Sequence, residues 1–234
     1  MIAMVSSRIM LITLLILFPN LLSLVCVVYA AKVSWTYEGK TGPHRWWENY
    51  RECAGREQSP VAFWKEDLVV DETMGELNIS SYKQQIQPNS LTLLNNGHTL
   101  QVNVPENVHV ILDGGGLSDW YRLEQFHFHW GSTDDTGSEH TVGEKAYPLK
   151  MHLVHAKRGR RTGQNLDDRD GFAVLAVGFH LSDETNDELQ KVVNHLQEVR
   201  HKSKHQLWCN QKYPYKIKYS IIIFLGFLHH QFLL

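Results

Sequence analysis

The chain has 234 residues, 43% of them apolar, enough to bury one sizeable core, so a single domain is the expectation. A formal net charge of −2 gives no electrostatic reason to expect nucleic acid or an acidic surface as partner. Aromatic residues make up 11%, with seven Trp, which argues against a disordered chain.

Residues 1–30 read as an export signal. Arg8 supplies a positive n-region, Ile9 to Val28 is almost wholly apolar, and Val28-Tyr29-Ala30 offers a small residue for cleavage near Ala30. Pro19-Asn20 interrupts the apolar run, which favours a cleaved signal; an uncleaved signal-anchor is the alternative. The mature chain is then expected to be secreted. Cys26 leaves with the signal, and Cys53 and Cys209 remain as an even pair for an oxidising compartment. Asn78-Ile79-Ser80 is a glycosylation sequon, a pattern also common by chance.

From Val33 to Pro60 Gly and Pro come too often for long regular elements, so a packed N-terminal arm is expected. Short strands are expected at Leu77 to Tyr82, Ser90 to Leu94 and Thr99 to Val104, the last two hinged at Asn95-Asn96-Gly97-His98. His109 to Leu112 is another, stopped by Asp113-Gly114-Gly115-Gly116. Tyr121 to Trp130 and Met151 to Lys157 follow, with Thr141 to Val142 a short strand between them. Lys157 to Asp170 reads as a solvated loop, its R-G-R-R run answered by Asp167, Asp168 and Asp170. Phe172 to His180 is nearly all apolar and suits the middle of a sheet.

One helix is clear. Leu189, Val192, Val193, Leu196 and Val199 fall on a single face, with Thr185 to Glu188 as a capping box. Beyond it, Ile221 to Leu228 is too short to span a bilayer. The fold class is therefore mostly β (α+β): one domain around a large twisted, mainly antiparallel sheet with few short helices.

The chemistry concentrates between Gln125 and His155. Phe126-His127-Phe128-His129-Trp130 alternates strictly, so His127 and His129 share one strand face and the two Phe the other. Met151-His152-Leu153-Val154-His155 also alternates and can supply a third imidazole from a neighbouring strand. Three neutral imidazoles leave a tetrahedral Zn2+ with one open position, the construction of a catalytic zinc site.

The runs W-Y-R-L-E-Q-F-H-F-H-W-G-S, G-S-E-H-T-V and M-H-L-V-H resemble the signature of the α-class carbonic anhydrases, of secreted type. So do the steps of 10 residues from His129 to Glu139 and 23 from His129 to His152. W-x-Y and G-x-x-Q-S-P near the N-terminus extend the resemblance over roughly Ser34 to Lys204. It implies a domain at 31–204, hydration of carbon dioxide to bicarbonate by a zinc-bound hydroxide, and His127, His129 and His152 as metal ligands. It also implies Gln125 as the residue orienting His127, Glu139 as acceptor for a threonine that orients the hydroxide, and His140 as a core neighbour. His98 matches the proton shuttle, Tyr37 and Asn96 match residues that order the intervening waters, and Val154 and Val174 match the apolar wall for carbon dioxide. Met151 is placed with that wall. His155, three residues from His152, belongs on the opposite face as a buried structural histidine. Cys53 sits where extracellular members place half of a disulfide; whether Cys209 is its partner stays open.

Two departures stand out. Lys150 occupies the position of a glutamate that accepts the N–H of the third ligand, and a cation cannot accept a hydrogen bond. Residues 205–234 have no counterpart in the family and read as a divergent or prematurely ended tail, leaving Glu139 without its threonine and sheet edges open. The alternative function is accordingly a catalytically impaired isoform or a non-catalytic binding module. The expected partner is carbon dioxide or bicarbonate, with no nucleic acid, and membrane contact through the signal or tail alone.

Overall fold

The computed structural model describes residues 35–56, 58–84, 86, 90–160 and 170–202, with the backbone of 205–207, 217–219 and 224–227. The expected signal at 1–30, Cys26, Cys209, Asp167 and Asp168 lie outside the described residues. The chain divides into two compact units, Met1–Asn49 and Tyr50–Leu234.

In the first unit, 3-10 helices cover Gly39–Thr41 and Pro43–Glu48. Gly39 takes a positive φ of 69°, and Pro43 opens the second helix, where its missing N–H is harmless. Trp35, Tyr37 and Trp46 pack edge-to-face with centroids 5.3, 5.3 and 6.0 Å apart. Trp46 Nε1 donates to the carbonyls of Thr36 and Thr41, which closes this aromatic knot.

The second unit is built on a ten-stranded sheet. In chain order the strands are β1 (Ala62–Phe63), β2 (Leu77–Asn78), β3 (Thr92–Asn95), β4 (Leu100–Asn103), β5 (Ile111–Gly114), β6 (Tyr121–Trp130), β7 (Thr141–Val142), β8 (Leu149–Lys157), β9 (Phe172–Leu181), β10 (His205–Leu207), β11 (Ile217–Tyr219) and β12 (Phe224–Phe227). The order β10-β3-β4-β6-β8-β9-β11 is antiparallel throughout; β5 pairs with β6, β2 with β5, and β12 with β9. β1 and β7 form a separate parallel pair. The expected strand from Leu77 to Tyr82 stops after two residues. A 3-10 helix, Ser80–Lys83, replaces its second half, and Ser81 Oγ bonds both the N–H and the carbonyl of Ile111.

β6 carries a bulge. Leu123 pairs with His155, but Gln125 pairs with Val154, so Glu124 is an extra residue and the alternation changes phase there. Tyr121 and Leu123 therefore share a face with Phe126 and Phe128, while Gln125, His127 and His129 share the other. The first face is the main core. Phe128, Phe179, Leu189, Val192 and Val199 pack there with Leu93 and Val102, and Tyr121 packs with Leu112, Ala173 and Leu175. His155 is fully buried on this side; Tyr82 Oη donates to its Nε2, and its Nδ1 donates to the Ala173 carbonyl at 3.1 Å.

The helix α1 runs over Asp187–Val193 and is shorter than its apolar spacing suggests. Its cap is Asn186, not Thr185: the Asn186 side chain accepts from the N–H groups of Glu188 and Leu189. After Val193 the bonds tighten to i→i+3 spacing, His195 to Val192 and Leu196 to Val193, which breaks the 3.6 period. Leu196 is turned out to 40% exposure while Val199 stays buried.

The expectation of open sheet edges is corrected by residues beyond 204. β10 pairs with the outer edge of β3, and β11 and β12 both pair with the outer edge of β9. Ile217 faces Leu181 while Phe224 faces Ala176, so the register of β12 on β9 is shifted by two residues from that of β11. Among the described residues no helix is long and apolar enough to cross a membrane, and Cys53, partly buried, forms no disulfide.

Candidate metal centre

The histidine face is assembled by the ladder between β6 and β8. His127 pairs with His152 and His129 with Lys150, and facing residues of an antiparallel pair project to the same side. The ring centroids of His127, His129 and His152 lie 5.0, 5.3 and 4.7 Å apart. One ligand nitrogen from each falls within 4.8 Å of the others, so the three converge on one point. The sequence-expected triad is thus brought together.

The surroundings keep all three rings neutral. Burial pushes His127 and His129 down to about 3, and His152 well below the ordinary histidine value, with the Lys150 charge adding to the effect on each. A neutral imidazole offers a lone pair, which a metal ion needs. His129 Nε2 and His152 Nε2 are buried with no hydrogen-bond partner among the described residues. Buried orphan nitrogens are costly unless a cation takes their lone pairs, and an all-imidazole set suits Zn2+. The residues therefore fit zinc.

Gln125 Oε1 accepts from His127 Nδ1 at 2.9 Å, which leaves Nε2 of that ring to face the other two histidines. Glu139 and Lys150 meet each other. Lys150, 2% exposed, does not serve His152. Its Nζ donates to Glu139 Oε2 and to His140 Nδ1, both at 3.0 Å. Burial lowers its pKa, with Glu139 opposing. Glu139 Oε2 also lies 3.3 Å from His129 Nδ1. His140, accepting at Nδ1, presents Nε2 to Ser59 Oγ at 3.3 Å and stacks on Phe63, which the β1–β7 pairing holds in place.

Met151 is a correction. It pairs with Phe128 and packs into the core with Leu149 and Val177, on the sheet face opposite His152, because adjacent strand residues alternate. Val154 and Val174 do lie on the histidine side, paired with each other and packed with Ala156 and Phe172.

His98 and Asn96 occupy the turn between β3 and β4. Gln101 of β4 pairs with His127, so this turn lies toward the His129 end of β6; Thr99 Oγ1 bonds the Phe128 carbonyl there. Asn96 builds the turn itself. Its Oδ1 accepts from the N–H groups of His98 and Thr99, and its Nδ2 donates to Gln101 Oε1 at 3.1 Å. Burial, then the Lys202 charge, lowers the pKa of His98. Tyr37 belongs to the N-terminal unit, in its aromatic knot.

Three contributors were not singled out from the sequence. Gln101, facing His127 and donating to Asn103 at 2.7 Å, is invisible without the strand register. Ser138 fixes the segment bearing Glu139: its Oγ donates to the His140 carbonyl and accepts from the Tyr147 N–H, while its N–H bonds the Tyr147 carbonyl. Tyr147 lies on Gly178, where a Cβ would meet the ring at 3.0 Å, and Gly178 pairs with Lys150. Ser138 stands inside G-S-E-H-T, which was a signal; Tyr147 had none.

The family model described as eukaryotic-type carbonic anhydrase matches residues 41–218, past the point near Lys204 where the sequence resemblance was expected to stop. Carbonic anhydrase 1 of Monodelphis domestica is 32% identical over 183 residues, covering 77% of this chain and 68% of that protein.

Proposed function

The chain belongs to the eukaryotic-type carbonic anhydrase family, and from that premise we propose that it hydrates carbon dioxide reversibly to bicarbonate with zinc held by His127, His129 and His152. The observation that carries this reading is the convergence of three neutral, buried imidazoles from two adjacent strands. Zinc bound there would bring the pKa of a coordinated water to about 7 and so supply a nucleophile at neutral pH.

The rest is the work of this chain's own side chains. Gln125 fixes the His127 ring through Nδ1. Val154 and Val174, buried with Ala156 and Phe172 on the histidine side of the sheet, are the apolar wall against which a small uncharged substrate would rest. His98 takes protons outward from the turn at the His129 end of the site, and its lowered pKa keeps it a neutral acceptor into mildly acid solution. The apolar Ile9 to Val28 run and the exposed Asn78 sequon support export of the chain.

A second reading, a zinc-binding relative without turnover, is favoured by one observation: the buried Lys150 ammonium stands on the histidine face. One experiment separates the two. The purified chain is assayed for bound zinc and then for proton release on adding carbon dioxide. One zinc per chain with rapid proton release supports the enzyme, and one zinc with none supports the second reading. A folded chain that takes up no zinc overturns both.

A further inference from the structure

The inference rests on the zinc reading above and concerns what Glu139 does in this chain. Its Oε2 accepts from Lys150 Nζ at 3.0 Å and lies 3.3 Å from His129 Nδ1. We propose that Glu139, pinned by Lys150, is the positioning residue of His129: it accepts from Nδ1, fixes the tautomer and ring plane, and so aims Nε2 at the metal.

The geometry supports this from three directions. The His129 nitrogen left over is the one buried without a partner, so the Glu139 contact and the orphan are opposite ends of one ring. Gln125 makes the corresponding contact to His127 Nδ1, so two neighbouring ligands are oriented in the same manner by different chemistries, one amide and one carboxylate. The backbone around Glu139 is held by the Ser138 bonds to His140 and Tyr147, so the carboxylate is presented from a fixed frame. Lys150 completes the arrangement. It stands directly across the ladder from His129 and donates to Glu139 Oε2, which holds the carboxylate in place.

The test compares the full chain with E139A and E139Q. Zinc dissociation constants come from competition with a chelator, visible spectra from Co2+ substitution, and thermal melting of the metal-free proteins checks the fold. E139A is expected to weaken zinc by about 10–100-fold and to alter the Co2+ spectrum, the usual effect of losing such a partner. E139Q keeps an acceptor oxygen in the same place and is expected to recover most of the affinity. Zinc binding by folded E139A within about threefold of the parent, with an unchanged Co2+ spectrum, would overturn the proposal. So would a loss in E139Q equal to that in E139A. If E139A does not fold, the His129 ring 15N resonances of E139Q decide: a shift at Nδ1 supports the contact, and no shift sinks it. A parent chain that binds no zinc removes the zinc reading as well, whereas a zinc-binding parent with an indifferent E139A removes this inference alone.

Discussion

His127 of β6 and His152 of β8 are direct cross-strand partners, both buried, with ring centroids 5.3 Å apart. Two of the three metal ligands are therefore delivered by the hydrogen-bond register of the sheet, and the third by a two-residue step along one strand. Replacing His152→Ala should remove a ligand while leaving the ladder intact. Zinc affinity should fall by more than the roughly 100-fold upper range seen for outer partners, with the melting temperature of the metal-free protein little changed. Chelator competition and metal-free melting curves check both halves.

Lys150 offers a change in the opposite direction. Its ammonium disfavours positive charge at His127, His129 and His152, and it cannot accept from His152. Lys150→Gln removes the charge, retains a donor for Glu139 and adds an acceptor. Zinc should bind about 10–100-fold more tightly. An unchanged dissociation constant would show that the cation is not what limits metal loading.

His155 makes stability depend on acid. Burial holds it at about 4 in the folded chain against 6.5 for the free side chain, with the Tyr82 hydroxyl and the Ala173 carbonyl facing its ring. The unfolded chain therefore binds the extra proton first, so stability is full above about 6.5 and is lost as the pH falls toward 4. The His155 contribution is on the order of 3 kcal/mol. Urea unfolding of the metal-free protein at pH 7 and 4.5 should show a smaller pH-dependent loss in His155→Asn than in the parent.

His98→Ala should leave zinc binding unchanged and slow carbon dioxide hydration by on the order of 100-fold in weak buffer, with recovery on adding imidazole. Because burial and Lys202 lower the pKa of His98, the parent's shuttle-dependent rate should decline only below about 6.5. Stopped-flow assays with a pH indicator distinguish this from a general loss of activity.

The histidine triad and Gln125 were legible because a period of two is written directly into Gln125 to Trp130 and Lys150 to Val154, and Tyr121–Trp130 begins and ends where expected. Met151 was misplaced by ignoring that same period. The contact between Lys150 and Glu139 depends on how residues 131–148 loop back over the sheet, which no local pattern encodes. Asn186 displaced Thr185 as the helix cap because two adjacent residues both suit that role and only the backbone decides between them. The strands on the outer edges of β3 and β9 were missed because three- and four-residue segments carry too little periodicity to be recognised.

The bulge at Glu124 acts on β6 as a reading frame acts on a message. Upstream of it odd-numbered side chains enter the hydrophobic interior; downstream, odd-numbered side chains make up the histidine face. Drawing Glu124 into regular alternation would put Tyr121 and Leu123 in phase with the histidines, so one set or the other would have to trade surroundings. The histidine face and the hydrophobic core of this strand thus owe their separation to a single irregularity, an unpaired residue rather than any side chain's chemistry.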